Sequence, residues 1–135
     1  MSNKSDGNAF ERLLAEKLKE YGFWVHLLQQ NSAGQPADII AVRDREACLI
    51  DCKVCALDRF LFSRMEDNQC DAMDFWNRCG NNPCYFALQT SDGSIYMADY
   101  DVLSTSRSLG DKSWNLDAIK RYCPTLEEWE TDAWL

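Results

Sequence analysis

A helix, three strands, a second helix and two further strands can be read in order along the chain, which predicts an α/β domain with a mixed central sheet of about five strands flanked by helices (α-β-β-β-α-β-β). Three observations carry this expectation. Phe10, Leu13, Leu14 and Leu18 recur at helical spacing. Short apolar runs bounded by turn residues recur at 38–42, 47–54, 84–89 and 94–100. Ser91-Asp92-Gly93 between the last two is a strong hairpin turn.

The first helix is expected over residues 8–21, with Asn8 as N-cap, Glu11 completing a capping box and Gly22 as the stop. A strand over 23–28 follows, then a loop over 31–35 with Ser32 and Gly34 as its turn residues. Strands over 38–42 and 47–54 flank a charged turn at 43–46, and 58–63 is an extended link. The second helix is expected over 64–79, ended by Gly80. After the hairpin, a short helix over 115–122 is broken by Pro124. Thr125 and Glu128 form a second capping-box pattern at the head of a last helix over 125–134.

The 135 residues are expected to form one domain, with 124–135 as an acidic C-terminal helix or tail. Hydrophobic residues make up 46% of the chain, enough for a core, and 12% aromatic content argues against disorder. There is no apolar run of the roughly 18 residues a transmembrane helix needs, so no membrane association is expected. Residues 1–7 are polar and lack the apolar region of a signal peptide. Seven cysteines without framework spacing fit reduced thiols in a cytoplasm. The net charge of -8 argues against indiscriminate nucleic-acid binding, but it is unevenly spread. Residues 1–64 hold nine Lys/Arg and nine Asp/Glu, whereas 65–135 hold five and thirteen.

The most informative stretch is Pro36-Ala37-Asp38-Ile39-Ile40, followed by Leu49-Ile50-Asp51-Cys52-Lys53-Val54. Two carboxylates and a lysine sit in strand-like apolar surroundings, where charge is costly unless paired or bound to metal. If Asp44-Arg45 is a two-residue loop, Asp38 faces Asp51 across the hairpin, with Cβ atoms about 4.5–5.5 Å apart. That spacing suits a shared hard cation; without one, opposed like charges are destabilising. Strand alternation puts Lys53 on the face of Asp51 and turns Cys52 the other way. Mg²⁺ takes oxygen ligands and keeps several waters, which is the equipment of metal-assisted phosphodiester hydrolysis. Spacing alone leaves open the alternative of a surface hairpin with solvated Asp and Lys.

These segments resemble a known family. Glu11 in a first helix, Ser32-Ala33-Gly34-Gln35-Pro36-Ala37-Asp38 and Ile50-Asp51-Cys52-Lys53 are similar to the motifs of the PD-(D/E)XK nuclease superfamily. Within it the chain resembles Holliday junction resolvases of the archaeal type and of the bacterial RecU type. Gln69 is similar to a glutamine those resolvases carry after the lysine strand, and Lys112-Ser113-Trp114-Asn115-Leu116 resembles a late stretch of RecU-like chains.

The resemblance implies a restriction-endonuclease-like core and a Mg²⁺-dependent endodeoxyribonuclease, with Mn²⁺ as substitute. It makes Asp38 and Asp51 the metal-binding acids, with the Cys52 backbone carbonyl as a further ligand. Lys53 becomes the catalytic lysine, Glu11 the helix glutamate that reaches the metal directly or through water, and Ser32 and Gln69 auxiliary positions. The implied partners are branched DNA and a second copy in a homodimer, with no small-molecule cofactor. The chain departs from the pattern in carrying Asp51 where Glu is usual, in its acidic balance and in lacking a basic N-terminal arm.

Arg59 and Arg64 follow the catalytic strand and, with Arg12 on the first helix, are the candidates for DNA contact. Cys52, Cys55, Cys79 and Cys84 could make a zinc site, although the second pair lacks Cys-x₂-Cys spacing and buried thiols are the blander explanation. His26 reads as structural. Trp76, Trp114, Trp129 and Trp134 could stack on bases or pack in the core. Two rival functions remain: a nuclease of the same fold acting on other DNA structures, and an inactive nuclease fold binding a protein partner through its acidic half.

Overall fold

The structure, a computed structural model, describes residues 3–29, 34–80 and 83–133. Five strands form one mixed sheet in the order β1-β2-β3-β5-β6. They are β1 (Trp24–Leu27), β2 (Ile39–Arg43), β3 (Glu46–Cys55), β5 (Tyr85–Thr90) and β6 (Ile95–Asp99). All neighbours are antiparallel except β3 and β5, the one parallel pair of this sheet. A parallel pair needs a long crossover, and α2 (Asp67–Arg78) lies within it, as does β4 (Arg59–Leu61). The expected α/β architecture with a mixed five-stranded sheet is the observed one.

Strand alternation splits the core in two. On one face, Cys48 and Ile50 of β3, Ile39 and Ala41 of β2, and Ala87 of β5 pack against Phe10, Leu14 and Leu18 of α1 (Asn3–Glu20). On the other, Leu49, Cys55, Phe86 and Leu88 pack against Cys70 and Met73 of α2 and against Phe60 and Trp114. Phe60 and Trp114 pair across a two-stranded ribbon of β4 and β7 (Ser113–Asn115).

Several expectations are corrected. Helix α1 starts at Asn3, so Asn8 is not its N-cap and Glu11 lies inside the helix. Residues 3–8 contain no proline, and a single interior glycine costs a helix only about 1 kcal/mol. Leu13 faces solvent, at 41% exposed, and is not part of the buried stripe. The extended link became β4 and a 3₁₀ turn, Phe62–Arg64, so α2 begins at Asp67 rather than at residue 64. Two elements were not foreseen at all, α3 (Tyr100–Ser108) and β7. Asp99 ends β6 and caps α3 by accepting from the Asp101 N–H at 2.8 Å.

The C-terminal region keeps its capping box: Thr125 Oγ1 accepts from the Glu128 N–H, and Glu128 Oε1 from the Thr125 N–H. Helix α4 (Leu116–Tyr122) precedes it, and α5 (Leu126–Glu128) is short and passes into one π turn, Trp129–Ala133. This segment packs on the α1 face. Trp129 is fully buried, stacked on Phe23 at 5.5 Å between ring centroids and edge-on to Tyr85 at 5.4 Å. Arg43 holds Glu130 through a 3.0 Å ion pair. Trp114 is also buried, donating from Nε1 to Ser106 Oγ at 3.0 Å, so both tryptophans belong to the core. Trp134 lies outside the described residues. No described helix is long and apolar enough to cross a membrane.

The β2–β3 hairpin has the expected two-residue loop. Arg43 pairs with Glu46 and Ile39 with Ile50, while Asp44 and Arg45 adopt φ of 54° and 69°. Both central residues at positive φ is the type I′ turn, in which Arg is unfavourable and Gly preferred. Arg45→Gly should therefore stabilise the chain by about 0.5–1 kcal/mol, the relief of left-handed strain outweighing the entropy glycine adds to the unfolded state. Urea denaturation of the two chains measures this.

Candidate active site

Asp38 is fixed by the sheet before β2 formally begins. Its N–H donates to the Ile50 carbonyl at 3.1 Å and its own carbonyl accepts from the Leu28 N–H at 2.9 Å. The hairpin register runs to Ile39 opposite Ile50. The Asp38 N–H bonds that same Ile50 carbonyl, one residue out of register, and its Oδ2 reaches the Cys52 N–H, so Asp38 lies beside Asp51 at a bulge-like strand end rather than in a regular pair with it. Asp38 is 6% exposed and Asp51 1%.

Both carboxylates are engaged, but unequally. Asp38 Oδ1 accepts from Gln35 Nε2 at 2.7 Å and Oδ2 from the Cys52 N–H at 2.8 Å. Asp51 Oδ1 accepts from Gln69 Nε2 at 3.1 Å. Lys53 Nζ lies 3.2 Å from Asp51 Oδ2, an ion pair without hydrogen-bond alignment, so this buried oxygen has no hydrogen-bond donor among the described residues. Gln69 sits in the first turn of α2, where its Oε1 accepts from the Glu66 N–H at 3.2 Å. Asp51 and Lys53 share the α2 face of β3, whereas Cys52 packs toward α1.

The local field is negative. Burial, then the Asp38 charge, holds the Asp51 carboxyl well above its ordinary range, with Lys53 pulling the other way. Burial and the charge of Asp38 also raise Glu11, to about 7, against a smaller pull from Arg12. Burial first, then Asp38, Asp51 and Glu11, push up the Cys52 thiol. Glu11 on α1 therefore reaches the same neighbourhood as the two strand acids.

These groups fit a hard divalent cation. The donors are carboxylate oxygens, and Asp51 Oδ2 is a buried acceptor without a hydrogen-bond donor among the described residues. Among the described residues no three His, Cys, Asp or Glu side chains close into a ligand cage, but Mg²⁺ commonly uses one or two carboxylates and keeps its waters. In an extended strand the N–H and C=O of one residue point to the same side. The Cys52 carbonyl is thus directed to the side of its N–H, toward Asp38. Zinc does not fit: Cys52 and Cys55 belong to opposite faces of the sheet, and Cys84 Sγ contacts the Met73 carbonyl and Asn77 Oδ1.

A cleft of about 680 Å³ opens beside Lys53, with Arg59, Arg64, Leu57 and Glu66 in its walls. Arg59 is exposed. Arg64 is half-buried and partly structural, since Nη1 donates to the Val54 carbonyl at 2.8 Å and its guanidinium stands 6.0 Å from the Phe60 ring. Arg12 is exposed on α1. The structure thus gathers Glu11, Asp38, Asp51, Lys53 and Gln69, with Arg59 and Arg64 alongside; Ser32 lies outside the described residues. Sequence reasoning gave no role to Gln35. Its signals were a polar amide three residues before a buried acid and a place inside the Ser32 to Asp38 stretch that carries the family resemblance.

The raised carboxyls set the pH response of the metal-free chain. A folded-state pKa above the unfolded one means the folded chain binds the proton more tightly, so stability falls as pH rises from the ordinary Glu value of 4.5 through about 7. The unfolding midpoint without metal should be higher at pH 5.5 than at pH 8, and millimolar Mg²⁺ should recover stability at pH 8. Thermal unfolding at the two pH values, with and without Mg²⁺, reads this out.

Comparison with known proteins adds a fold and a family. The chain is similar to the Holliday junction resolvase Hjc of the archaeal hyperthermophile Archaeoglobus fulgidus, whose structure is known at 1.6 Å. The TM-score is 0.73 and the identity 18%, over 92% of this chain and 99% of that one. No curated protein matches the sequence. The family model for archaeal Holliday junction resolvases (Hjc) matches residues 2–113, most of the 135 residues. The chain therefore belongs to the archaeal Holliday junction resolvase family.

Proposed function

We propose that this chain is a Mg²⁺-dependent endonuclease that hydrolyses phosphodiester bonds in branched DNA as a homodimer. The observation that carries this reading is the buried, neighbouring pair of carboxylates, with Lys53 3.2 Å from an Asp51 oxygen that has no hydrogen-bond donor among the described residues. Family membership supports the substrate, because the name of the matched family refers to the four-way DNA junction.

Asp38 and Asp51, with the Cys52 carbonyl, would hold the cation, and Glu11 would assist from α1. When bound, Mg²⁺ supplies a positive charge on the phosphate oxygens and a more acidic water. The chain's own groups do the rest. Gln69 keeps Asp51 oriented through its 3.1 Å hydrogen bond. Lys53 brings an ammonium to the same face, where it orients the attacking water and offsets charge that builds on the phosphate. Glu11, raised to about 7 by burial and the Asp38 charge in the metal-free chain, would give up its proton as the cation binds. Arg59, and the donors Arg64 has left, grip backbone phosphate in the cleft beside Lys53. A two-fold dimer supplies the second site that a symmetric junction requires.

Cleavage of a synthetic four-way junction in Mg²⁺ or Mn²⁺ tests the reading. Lys53→Ala should lower kcat by about 10²–10³, and Asp51→Asn should abolish cutting. A wild-type chain that cuts linear duplex as fast as the junction would remove the branched-DNA assignment, and one that cuts nothing would remove the nuclease. Arg59→Ala should leave kcat intact, weaken DNA binding at all sequences and reduce the salt slope of binding by about one, as fluorescence anisotropy across a salt series would register.

A further inference from the structure

The Asp38 carboxylate is held by a side chain that has so far been given no part in the site. Gln35 is 7% exposed and donates from Nε2 to Asp38 Oδ1 at 2.7 Å. An ionised carboxylate only accepts, so the amide has one workable orientation, with Oε1 turned away from Asp38. That Oε1 is itself buried and has no hydrogen-bond partner among the described residues. Buried amides normally have their polar ends partnered. Here one end is committed to a buried acid, and the other is, among the described residues, an unfilled acceptor, as is Asp51 Oδ2.

Gln35 is also anchored. Asn68 Nδ2 donates to the Gln35 carbonyl at 3.0 Å, and the next residue, Gln69, donates to Asp51 Oδ1 at 3.1 Å. Consecutive residues of α2 therefore hold the two carboxylates, one directly and the other through Gln35. The loop approaches α2 closely enough that a Cβ on Gly34, which has φ of +82°, would lie 2.8 Å from Asn68 Nδ2.

We propose that Gln35 is a positioning residue of the nuclease site: its Nε2 fixes the Asp38 carboxylate, its Oε1 accepts from a water ordered in the site, and together they set the affinity for a divalent cation of the Mg²⁺/Mn²⁺ class. This rests on the nuclease reading above. Groups that orient metal ligands typically matter by about 10–100-fold in metal affinity or activity.

The test is calorimetric titration of the full chain with Mn²⁺ in the absence of DNA, set beside junction cleavage. Gln35→Met keeps the length and bulk of the side chain and removes both hydrogen-bonding ends. Its Mn²⁺ Kd should rise by about 10-fold or more, with kcat falling and KM for the junction unchanged, because Gln35 acts on Asp38 and not on DNA. Wild-type Mn²⁺ affinity in Gln35→Met overturns the proposal while leaving the nuclease reading intact. A wild-type chain whose Mn²⁺ binding depends on Gln35 but which cuts no DNA keeps the positioning role and sinks the nuclease. A wild-type chain that binds no Mn²⁺ overturns the proposal outright. Should circular dichroism find Gln35→Met unfolded, Gln35→Ala removes the same two hydrogen-bonding ends with less bulk, and unchanged Mn²⁺ affinity in that variant is equally decisive against it.

Discussion

Two acidic side chains held side by side in a nearly dry sheet constrain much of this structure. Asp38 and Asp51 are neighbours where the β2–β3 ladder ends, each almost wholly buried. Isolated, such a pair would separate or neutralise. It is kept in place by groups recruited from four directions: the Cys52 N–H from β3, Gln35 from the preceding loop, Gln69 from α2 and Lys53 from the same strand face. Only Lys53 brings charge of the opposite sign, and it serves one oxygen. The hydrogen bonds orient the acids without cancelling them, which is the arrangement the proposed cation would complete.

Much of this was legible in the sequence, because the relevant signals are local and periodic. Alternation along 38–42 and 47–54, with a two-residue loop between, fixes the register as far as Ile39 and Ile50 and so brings Asp38 near Asp51, although the Asp38 N–H leaves that register for the Ile50 carbonyl. The turn obeyed the register rather than residue preference: Asp44-Arg45 takes a conformation that neither residue favours strongly. The start of α1 was misplaced because Asn8 and Glu11 imitate a cap pattern in mid-helix. Helix α3 escaped notice because its sequence, YDVLSTSRS, is rich in Ser and Thr, and its burial rests on Tyr100, Leu103 and Ser106. Gln35 escaped for a different reason. Its role is defined by Asn68 and Asp38, and the contact with Asn68 spans 33 residues of chain that no local pattern connects.

Charge is distributed to match. The acidic excess belongs to residues 65–135, and α2 turns Asp67, Asp71 and Asp74 to solvent. The cleft beside Lys53 draws Arg59 and Arg64 from the neutral half of the sequence. A polyanion approaching this surface meets repulsion along much of it and attraction in one channel, so the negative total narrows the approach without forbidding it.

The single parallel pairing of the main sheet has a consequence for how the chain acquires this arrangement. The β2–β3 hairpin is local and can form early, since closing a short loop is fast. On its own it would bring Asp38 and Asp51 together with Lys53 as the only positive neighbour. Gln69 and Asn68 arrive on the crossover between β3 and β5, whose ends must meet across a long separation, a slow kind of step. The hairpin is therefore weakest when it stands alone, and its like charges delay commitment to it until α2 has docked. Gln69 and Asn68 reach the acids only when the crossover closes, so completion of the proposed catalytic geometry waits on the slow step of folding.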